Sequence, residues 1–210
     1  QDPLASLDPR MTISTSIAEP LRTFRPDLTA QERRTEVEDM MHRVGLDASM
    51  YNRYPHELSG GQNQRVGIAR AMINRPKLII CDEAVSALDV SIQAQIIKLL
   101  KDLQSEFGMS MLFISHDLSV VRDISDRIMV LYLGRIVELS GSKAICTTPK
   151  HPYTQALISA VPIPDPVAER ARKRITLPGD LPSPLDVKAA LRFLPSKLNA
   201  GQHDYVPQMR

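Results

Sequence analysis

The 210-residue sequence contains only two cysteines, Cys81 and Cys146. Two thiols cannot form a disulfide framework or a four-thiolate metal cage, and they suit a reducing compartment. An excess of charge of one sign is also missing, because 26 lysines and arginines stand against 24 aspartates and glutamates, for a formal net charge of +2. This near balance argues against a dedicated nucleic-acid binder, which normally carries a basic stripe.

Long apolar runs and targeting signals are missing as well. The longest apolar stretches, such as residues 128–134, fall far short of the roughly 20 residues that a membrane helix needs. No charged-then-apolar signal segment opens the chain. With 43% hydrophobic and 24% charged residues, the composition indicates a globular protein that is cytosolic or peripheral to a membrane.

Local patterns predict the order of helices and strands. The prolines at positions 3, 9, 20 and 26 predict loops linking small elements over residues 1–29. Thr29 followed by Glu32 predicts a capped helix to residue 44, with Val37, Met40 and Met41 as packing residues. The elements predicted after it are a helix over 59–74, a strand over 77–82, a helix over 90–107, a strand over 109–115, a hairpin over 127–132 and 135–139, and a short helix over 152–160.

The strand over 77–82 lies in a predicted βαβ unit. Its apolar run Leu78–Cys81 is continuous rather than alternating, which is typical of a strand buried on both faces of a parallel sheet. Cys81 is therefore expected to be chemically inert. Ile92, Ile96 and Leu99 belong to one apolar face of the next helix, so the sequence predicts an α/β fold with a parallel sheet.

A possible anion site opens the second predicted helix. Residues 58–62 read Leu-Ser-Gly-Gly-Gln, so a serine hydroxyl and unpaired backbone N–H groups lie at a helix N-terminus. For an isolated Ser-Gly-Gly, a plain serine cap is the more common explanation. The residues further along the chain favour the anion site.

Two carboxylates, Asp82 and Glu83, end the first predicted strand, where open α/β sheets place ligands. Such a pair is suited to phosphoryl transfer to water, one acid holding the magnesium shell and the other polarising the attacking water. His116 ends the next strand at the corresponding edge, so its imidazole is expected to reach the same phosphate.

These motifs, in this order, resemble the nucleotide-binding domains of ATP-binding-cassette (ABC) proteins. Gln1 resembles the Q-loop glutamine, residues 58–62 the signature loop, residues 78–83 the Walker B strand, residues 86–89 the D-loop, and His116 the switch histidine. Residues 151–154 (His-Pro-Tyr-Thr) and 177–182 (Leu-Pro-Gly-Asp-Leu-Pro) resemble the C-terminal extension of the oligopeptide and dipeptide importer branch.

The resemblance implies a P-loop-type fold and a division of the chain. A cassette domain is expected over residues 1–145, from the Q-loop onward, with a helical signature subdomain at about 10–75 and parallel core at 76–125. A proline-rich extension is expected over 146–210. No G-x-x-x-x-G-K-[ST] phosphate loop occurs in the sequence, and the first residue is not Met, so we expect the chain to be the downstream part of a longer subunit that is inactive alone.

The resemblance also implies residue roles, with ATP and Mg²⁺ as cofactors. Glu83 and His116 are the expected catalytic residues, and Asp82 and Gln1 the expected metal residues. In a head-to-tail pair of cassettes, Ser59 and Gly61 would cap the γ-phosphate held by the partner. The full set of expected nucleotide-binding residues is Gln1, Ser59, Gly60, Gly61, Gln62 and Asp89.

The implied function is ATP hydrolysis that drives peptide import. The expected partners are a second ATPase subunit, identical or not, the transmembrane permease subunits and, indirectly, a substrate-binding protein, with no nucleic acid. The expected location is the cytoplasmic face of the bacterial inner membrane. Three alternatives stay open: a non-transport cassette ATPase, a catalytically incomplete dimerisation module, and an importer of another cargo such as nickel, opines or oligosaccharides.

Overall fold

The computed structural model describes residues 2–162 together with residues 165, 170 and 175. Gln1, residues 177–182 and the predicted extended tail beyond residue 175 lie outside the described residues. The helices are α1 (Ile13–Phe24), α2 (Ala30–Arg43), α3 (Gly60–Met72), α4 (Val90–Phe107), α5 (Leu118–Ile124), α6 (Ser142–Thr147) and α7 (Pro152–Ala160). The strands are β1 (Leu78–Asp82), β2 (Ser110–Ile114), β3 (Arg127–Tyr132) and β4 (Arg135–Gly141).

The chain forms two compact units, the first ending at Val120 and the second beginning at Val121. The first contains three helices before residue 75, followed by β1, α4 and β2. The second contains the β3–β4 hairpin with α6 and α7. The expected boundary between cassette and extension, near residue 145, stays a prediction. In the part of the chain that the structure describes, no helix is both long and apolar enough to cross a membrane.

The prediction of loops over residues 1–29 was wrong, because α1 occupies twelve of these residues. The Thr12 hydroxyl caps this helix by accepting from the Thr15 N–H at 3.3 Å. Ile13, Ile17 and Leu21 are each at most 2% exposed. Burying three such side chains contributes about 1.5–3 kcal/mol each, which outweighs the roughly 3 kcal/mol cost of Pro20 inside the helix.

Helices α2 and α3 were predicted correctly, and both begin with a capping box. The Thr29 hydroxyl accepts from the Glu32 N–H, and the Glu32 carboxylate accepts from the Thr29 N–H at 2.7 Å. The packing role predicted for Val37, Met40 and Met41 is confirmed, since all three are buried. These side chains, with those of α1 and α3, form the core of the helical part.

Strands β1 and β2 are parallel, in the register Leu78↔Ser110 to Asp82↔Ile114. The prediction that β1 is buried on both faces was wrong, because exposure alternates along it. Ile79 and Cys81 are buried, whereas Leu78 and Ile80 are 55% and 61% exposed. A continuous apolar run indicates two covering layers, and the described residues cover only one face of this strand pair.

The second unit is built on the predicted antiparallel hairpin β3–β4. Its two-residue turn, Leu133 and Gly134, has φ of 49° and 74°, as expected of the type I′ turn that matches strand twist. Val121, Ile128, Val130 and Ile145 form the core of this unit. Helices α5 and α6 were not predicted, because seven and six residues are too few to establish a helical repeat.

Candidate functional site

The signature loop, residues 58–62, leads into the first turn of α3. The Ser59 hydroxyl accepts from the Gln62 N–H at 3.3 Å, and the Gln62 side-chain oxygen accepts from the Ser59 N–H at 2.9 Å. The Asn63 N–H donates to the Ser59 carbonyl. Within the described part of the chain, the N–H groups of Gly60 and Gly61 have no acceptor. Two adjacent backbone donors at an exposed helix N-terminus can bind an anionic oxygen.

Asp82 and Glu83 lie where β1 ends. Asp82 is the last residue of β1 and is exposed. Glu83 leaves the strand with φ of 47°, in the left-handed region that non-glycine residues seldom occupy. Its N–H still donates to the Ile114 carbonyl at 3.0 Å, which extends the β1–β2 pairing by one bond. Such strained residues concentrate at functional sites.

His116 follows β2 by two residues and meets Glu83 across the sheet edge. Its Nδ1 lies 3.2 Å from the Glu83 Oε1, with 76% of the His116 side chain and 32% of the Glu83 side chain exposed. An ionised carboxylate only accepts hydrogen bonds, so His116 donates to Glu83 in the form that carries a proton on Nδ1. This contact uses Nδ1 and leaves Nε2 accessible. The pair therefore presents a carboxylate and an imidazole nitrogen to the same solvent-facing space.

The D-loop, residues 86–89, follows Glu83 in the chain after two residues and is hydrogen-bonded to its carbonyl. The Ser86 N–H and hydroxyl both donate to the Glu83 carbonyl, at 3.2 and 3.0 Å. The Leu88 N–H donates to the Val85 carbonyl. Asp89 then caps α4 by position only, since its side chain makes no capping hydrogen bond and is exposed. Its carboxylate is thus available to another molecule.

The first turn of α3 also contacts the residues around the D-loop. A methyl group on Gly61 would lie 2.7 Å from Ile92 Cγ2, and one on Gly60 would lie 3.9 Å from Leu88 Cδ2. One turn further along α3, the Arg65 guanidinium donates to the Gln95 side-chain oxygen at 3.3 Å. Sequence reasoning placed Ile92 on the apolar face of α4 and missed its contact with the signature glycine.

The His-Pro-Tyr-Thr segment is fixed by hydrogen bonds in the second unit. His151 caps α7 by accepting from the Tyr153 N–H on Nδ1 at 3.2 Å. The Glu138 carboxylate accepts from the N–H groups of Lys150 and His151 at 2.9 and 3.0 Å. Burial opposes ionisation of Glu138, but the neighbouring Thr154 hydroxyl and these N–H groups outweigh it, so the Glu138 pKa is lowered. Burial lowers the pKa of His151, and the charge of Glu138 offsets this only partly.

The structure thus brings together some of the predicted site residues and leaves others apart. Glu83 and His116 are in contact, and Asp82 and the D-loop adjoin them in sequence and structure. The predicted anion-binding residues lie elsewhere, at the start of α3: Ser59, Gly60, Gly61 and Gln62. Gln1 is outside the described residues, so its expected role stays a prediction.

Two family models match the chain. The model described as ABC transporter matches residues 1–86. The model described as oligopeptide/dipeptide transporter, C-terminal region, matches residues 137–196. The first range contains the signature loop and the β1 carboxylates, and the second contains Glu138 and His151.

Among curated proteins, the chain is 62% identical over 193 residues to the oligopeptide transport ATP-binding protein OppF of Salmonella typhimurium, covering 92% of this chain and 58% of that protein. It is 56% identical over 184 residues to the oligopeptide transport ATP-binding protein AppF of Bacillus subtilis, covering 88% of this chain and 56% of that protein. The chain thus spans less than two thirds of the length of these curated relatives.

Solved structures agree on the fold. The ATP-binding cassette MJ0796, in a dimeric post-hydrolysis state bound to ADP and Pi, matches with a TM-score of 0.60 and 33% identity, over 68% of this chain and 60% of that one. The cbiO1 protein of Clostridium perfringens, part of the ABC transporter complex cbiONQ, matches with a TM-score of 0.63 and 27% identity, over 70% of this chain and 57% of that one. The chain therefore belongs to the ABC transporter ATPases that carry the oligopeptide/dipeptide transporter C-terminal region.

Proposed function

We propose that this chain supplies the signature loop, the Walker B carboxylates and the switch histidine of an ATPase that drives peptide import. The contact between Glu83 and His116, at the edge where both parallel strands end, is the observation that carries the proposal. The names of the curated relatives, which include oligopeptide transport ATP-binding proteins, support peptides as cargo.

In this proposal the edge that carries Glu83 and His116 performs the chemistry. Glu83 orients the attacking water and accepts its proton. His116 faces the γ-phosphate with Nε2 and donates to a phosphate oxygen when its ring carries a proton on both nitrogens. The exposed carboxylate of Asp82 suits Mg²⁺, which binds proteins through one or two carboxylates and completes its shell with water and phosphate oxygens. When bound, Mg²⁺ would neutralise charge that develops on the phosphate oxygens.

The signature loop acts on a nucleotide held by a second cassette. The free N–H groups of Gly60 and Gly61 suit the γ-phosphate of that nucleotide, and the capping box between Ser59 and Gln62 keeps the first turn of α3 in place. The exposed Asp89 carboxylate reaches across the same dimer interface. The dimeric state of the solved relative MJ0796 supports this arrangement.

The nucleotide's own β- and γ-phosphates need a phosphate loop, and the sequence has no G-x-x-x-x-G-K-[ST] motif. We therefore expect the chain by itself neither to bind ATP tightly nor to hydrolyse it. The same observation favours a second candidate function, in which the chain completes one site on an intact cassette without catalysing hydrolysis itself.

The partners in this proposal are a second ABC ATPase subunit and the membrane-spanning permease subunits. The segment between Gln1 and the signature loop would contact the permease subunits, and a substrate-binding protein would act indirectly through them. The ATPase would lie peripherally on the cytoplasmic face of the bacterial inner membrane. The match to the oligopeptide/dipeptide transporter C-terminal region supports peptide cargo over nickel, opines or oligosaccharides.

The experiment titrates a hydrolysis-deficient, full-length form of the Salmonella relative with this chain, with and without ATP. We expect ATP-dependent association with the wild-type chain. The Ser59→Arg variant should lose it, because the longer side chain occupies the phosphate position in front of Gly60 and Gly61.

Ser105→Arg is the matched control, because Ser105 is exposed near the C-terminal end of α4. Sixteen residues of helix separate it from Asp89, about 24 Å at 1.5 Å per residue. It should associate like the wild type. ATP-independent association, equal loss in both variants, or micromolar ATP binding by the chain alone would contradict the proposal.

A further inference from the structure

We propose that Ile92, at the start of α4, is a positioning residue that seats the signature loop against the D-loop side of the same chain. The inference rests on the proposed function, because it concerns how the signature loop is held for its nucleotide. It starts from the unequal surroundings of the two signature glycines.

The backbone conformation does not require glycine at position 61. Gly61 lies in the first turn of α3 and is not among the glycines with positive φ. Glycine weakens a helix relative to alanine because it loses more conformational freedom on folding. A packing reason must therefore account for the glycine, or a ligand must approach the backbone there.

The structure supplies the packing reason. A Cβ on Gly61 would lie 2.7 Å from Ile92 Cγ2, closer than real atoms approach, but 3.9 Å from Ile92 Cβ, which is ordinary van der Waals contact. One γ-methyl of Ile92 thus occupies the space of the missing side chain. At the neighbouring Gly60 a Cβ would meet only Leu88 Cδ2, at 3.9 Å, and would fit.

Further contacts keep the two helices aligned. Arg65, one turn after Gly61, donates to Gln95, which lies three residues after Ile92. The same guanidinium donates to the Val44 carbonyl at 2.6 Å and so links α4 through α3 to the end of α2. Leu88 is in the D-loop, and its Cδ2 lies 3.9 Å from the position that a Cβ on Gly60 would take, so the D-loop and the signature loop are neighbours within one chain.

The function of this contact is to couple the position of the signature loop to the position of the edge that carries Glu83 and His116. The signature loop serves a nucleotide on the partner cassette, whereas the D-loop is hydrogen-bonded through Ser86 to Glu83, at the edge of the chain's own β1–β2 strand pair. Because Ile92 Cγ2 fills the position of a Gly61 side chain, a displacement of the α4 N-terminus displaces the Gly61 N–H. Ile92 thereby transmits the position of the catalytic edge to the signature loop.

The first test uses the full chain alone and reads the backbone amide chemical shifts of residues 59–62 with the urea midpoint of unfolding. Gly61→Ala should move these resonances and lower the midpoint, and both changes should be much smaller when Gly61→Ala is made in the Ile92→Ala variant and compared with that variant alone. Adding Ile92→Val should not, because valine keeps a γ-methyl at the crowded position. Gly60→Ala is the matched control and should leave the midpoint near that of the wild type.

The second test measures ATP-dependent association with the hydrolysis-deficient relative. Gly61→Ala should weaken it about tenfold. Ile92→Ala should weaken it as well, whereas Ile92→Val should retain it. Gly61→Ala combined with Ile92→Ala should bind no more weakly than Ile92→Ala alone.

Each outcome bears on one of the two proposals. If the Gly61→Ala defect persists undiminished when Ile92 becomes alanine, glycine serves the ligand's approach and the positioning role of Ile92 is wrong. If the wild type shows no ATP-dependent association, the proposed function fails. The chemical shifts of residues 59–62 in Ile92→Ala then decide the positioning role, and shifts equal to those of the wild type overturn it.

Discussion

The Glu83 carboxylate and the His116 imidazole are held 3.2 Å apart by two different strands. Glu83 follows β1 directly and is tied to β2 by its N–H bond to the Ile114 carbonyl. His116 comes two residues after that carbonyl. The pair is therefore a product of strand register.

Replacing Glu83 with glutamine tests the role of this carboxylate. The test protein joins the phosphate-loop region of the Salmonella relative to this chain, which gives an ATPase with this chain's catalytic edge. A positioned base contributes roughly 10²- to 10⁴-fold, so Glu83→Gln should reduce the turnover rate by that factor. ATP binding should survive, because glutamine keeps the size and most of the hydrogen bonding.

The measurements are steady-state phosphate release and equilibrium binding of a nucleotide analogue. Glu57→Gln, an exposed glutamate in the turn before the signature loop, is the control for a general effect of removing one charge. Turnover of at least half the parental rate in Glu83→Gln would contradict the assignment of Glu83 as the base.

The cap of α7 should respond to pH. The fold lowers the pKa of His151 below its ordinary value of 6.5, so the unfolded chain takes up a proton before the folded chain does. The contribution of neutral His151 to the free energy of unfolding is therefore fully present above pH 6.5 and is lost as the pH falls below that value. Protonation also removes the Nδ1 acceptor that holds the Tyr153 N–H.

His151→Asn should make the cap independent of pH in this range, because asparagine is a good N-cap and does not titrate. The measurement is the hydrogen-exchange protection of residues 152–160 between about pH 5 and 7, corrected for the intrinsic exchange rate. In the wild type, protection should decrease as the pH is lowered from about 7 to 5, and in the variant it should stay constant. A parallel fall in both proteins would contradict this explanation.

The two cysteines should differ strongly in reactivity. Cys81 is 6% exposed in β1, and burial raises its pKa to about 11. Since the thiolate is the reactive form, the folded protein should react at Cys146 first, which is only half-buried. Iodoacetamide labelling at about pH 8, followed by mass spectrometry, should show Cys81 modified only after denaturant is added. Equal labelling of both cysteines in the folded chain would contradict the burial of Cys81.

The stability of α1 should depend on its buried face and not on its exposed end. Ile17 is fully buried, whereas Phe24 at the helix end is 72% exposed. Ile17→Ala should lower the free energy of unfolding by about 2–5 kcal/mol. Phe24→Ala removes a larger side chain and should change it by less than about 0.5 kcal/mol. Urea unfolding of both variants checks this, and similar losses would mean that α1 does not pack as described.

Much of the first unit could be predicted where local signals agree. The capping boxes at Thr29 and Ser59 mark the starts of α2 and α3 in the sequence. Neighbouring parallel strands end at the same edge of a sheet, and this rule predicts that His116 lies near Glu83. The prediction of loops over α1 was wrong because Pro20 disfavours a helix locally, whereas the burial of one face of α1 stabilises the helix by more than the proline destabilises it. The contact between Gly61 and Ile92 could not be predicted, because these residues are 31 positions apart in the sequence and meet only through the packing of α3 against α4.

The five-residue length of β1 has a consequence for how this protein tolerates mutation. Side chains alternate along a strand, so Asp82 shares the exposed side with Ile80, and a continued strand would turn Glu83 to the side of Cys81. The left-handed residue ends that alternation at Glu83. The number of residues in the strand thus decides which of the two adjacent carboxylates remains in the strand, as Asp82 does, and which one turns toward His116, as Glu83 does. Inserting or deleting one residue in β1 would displace both carboxylates by one position and so remove the present placement of Glu83 beside His116. This segment should therefore accept substitutions far more readily than changes in length.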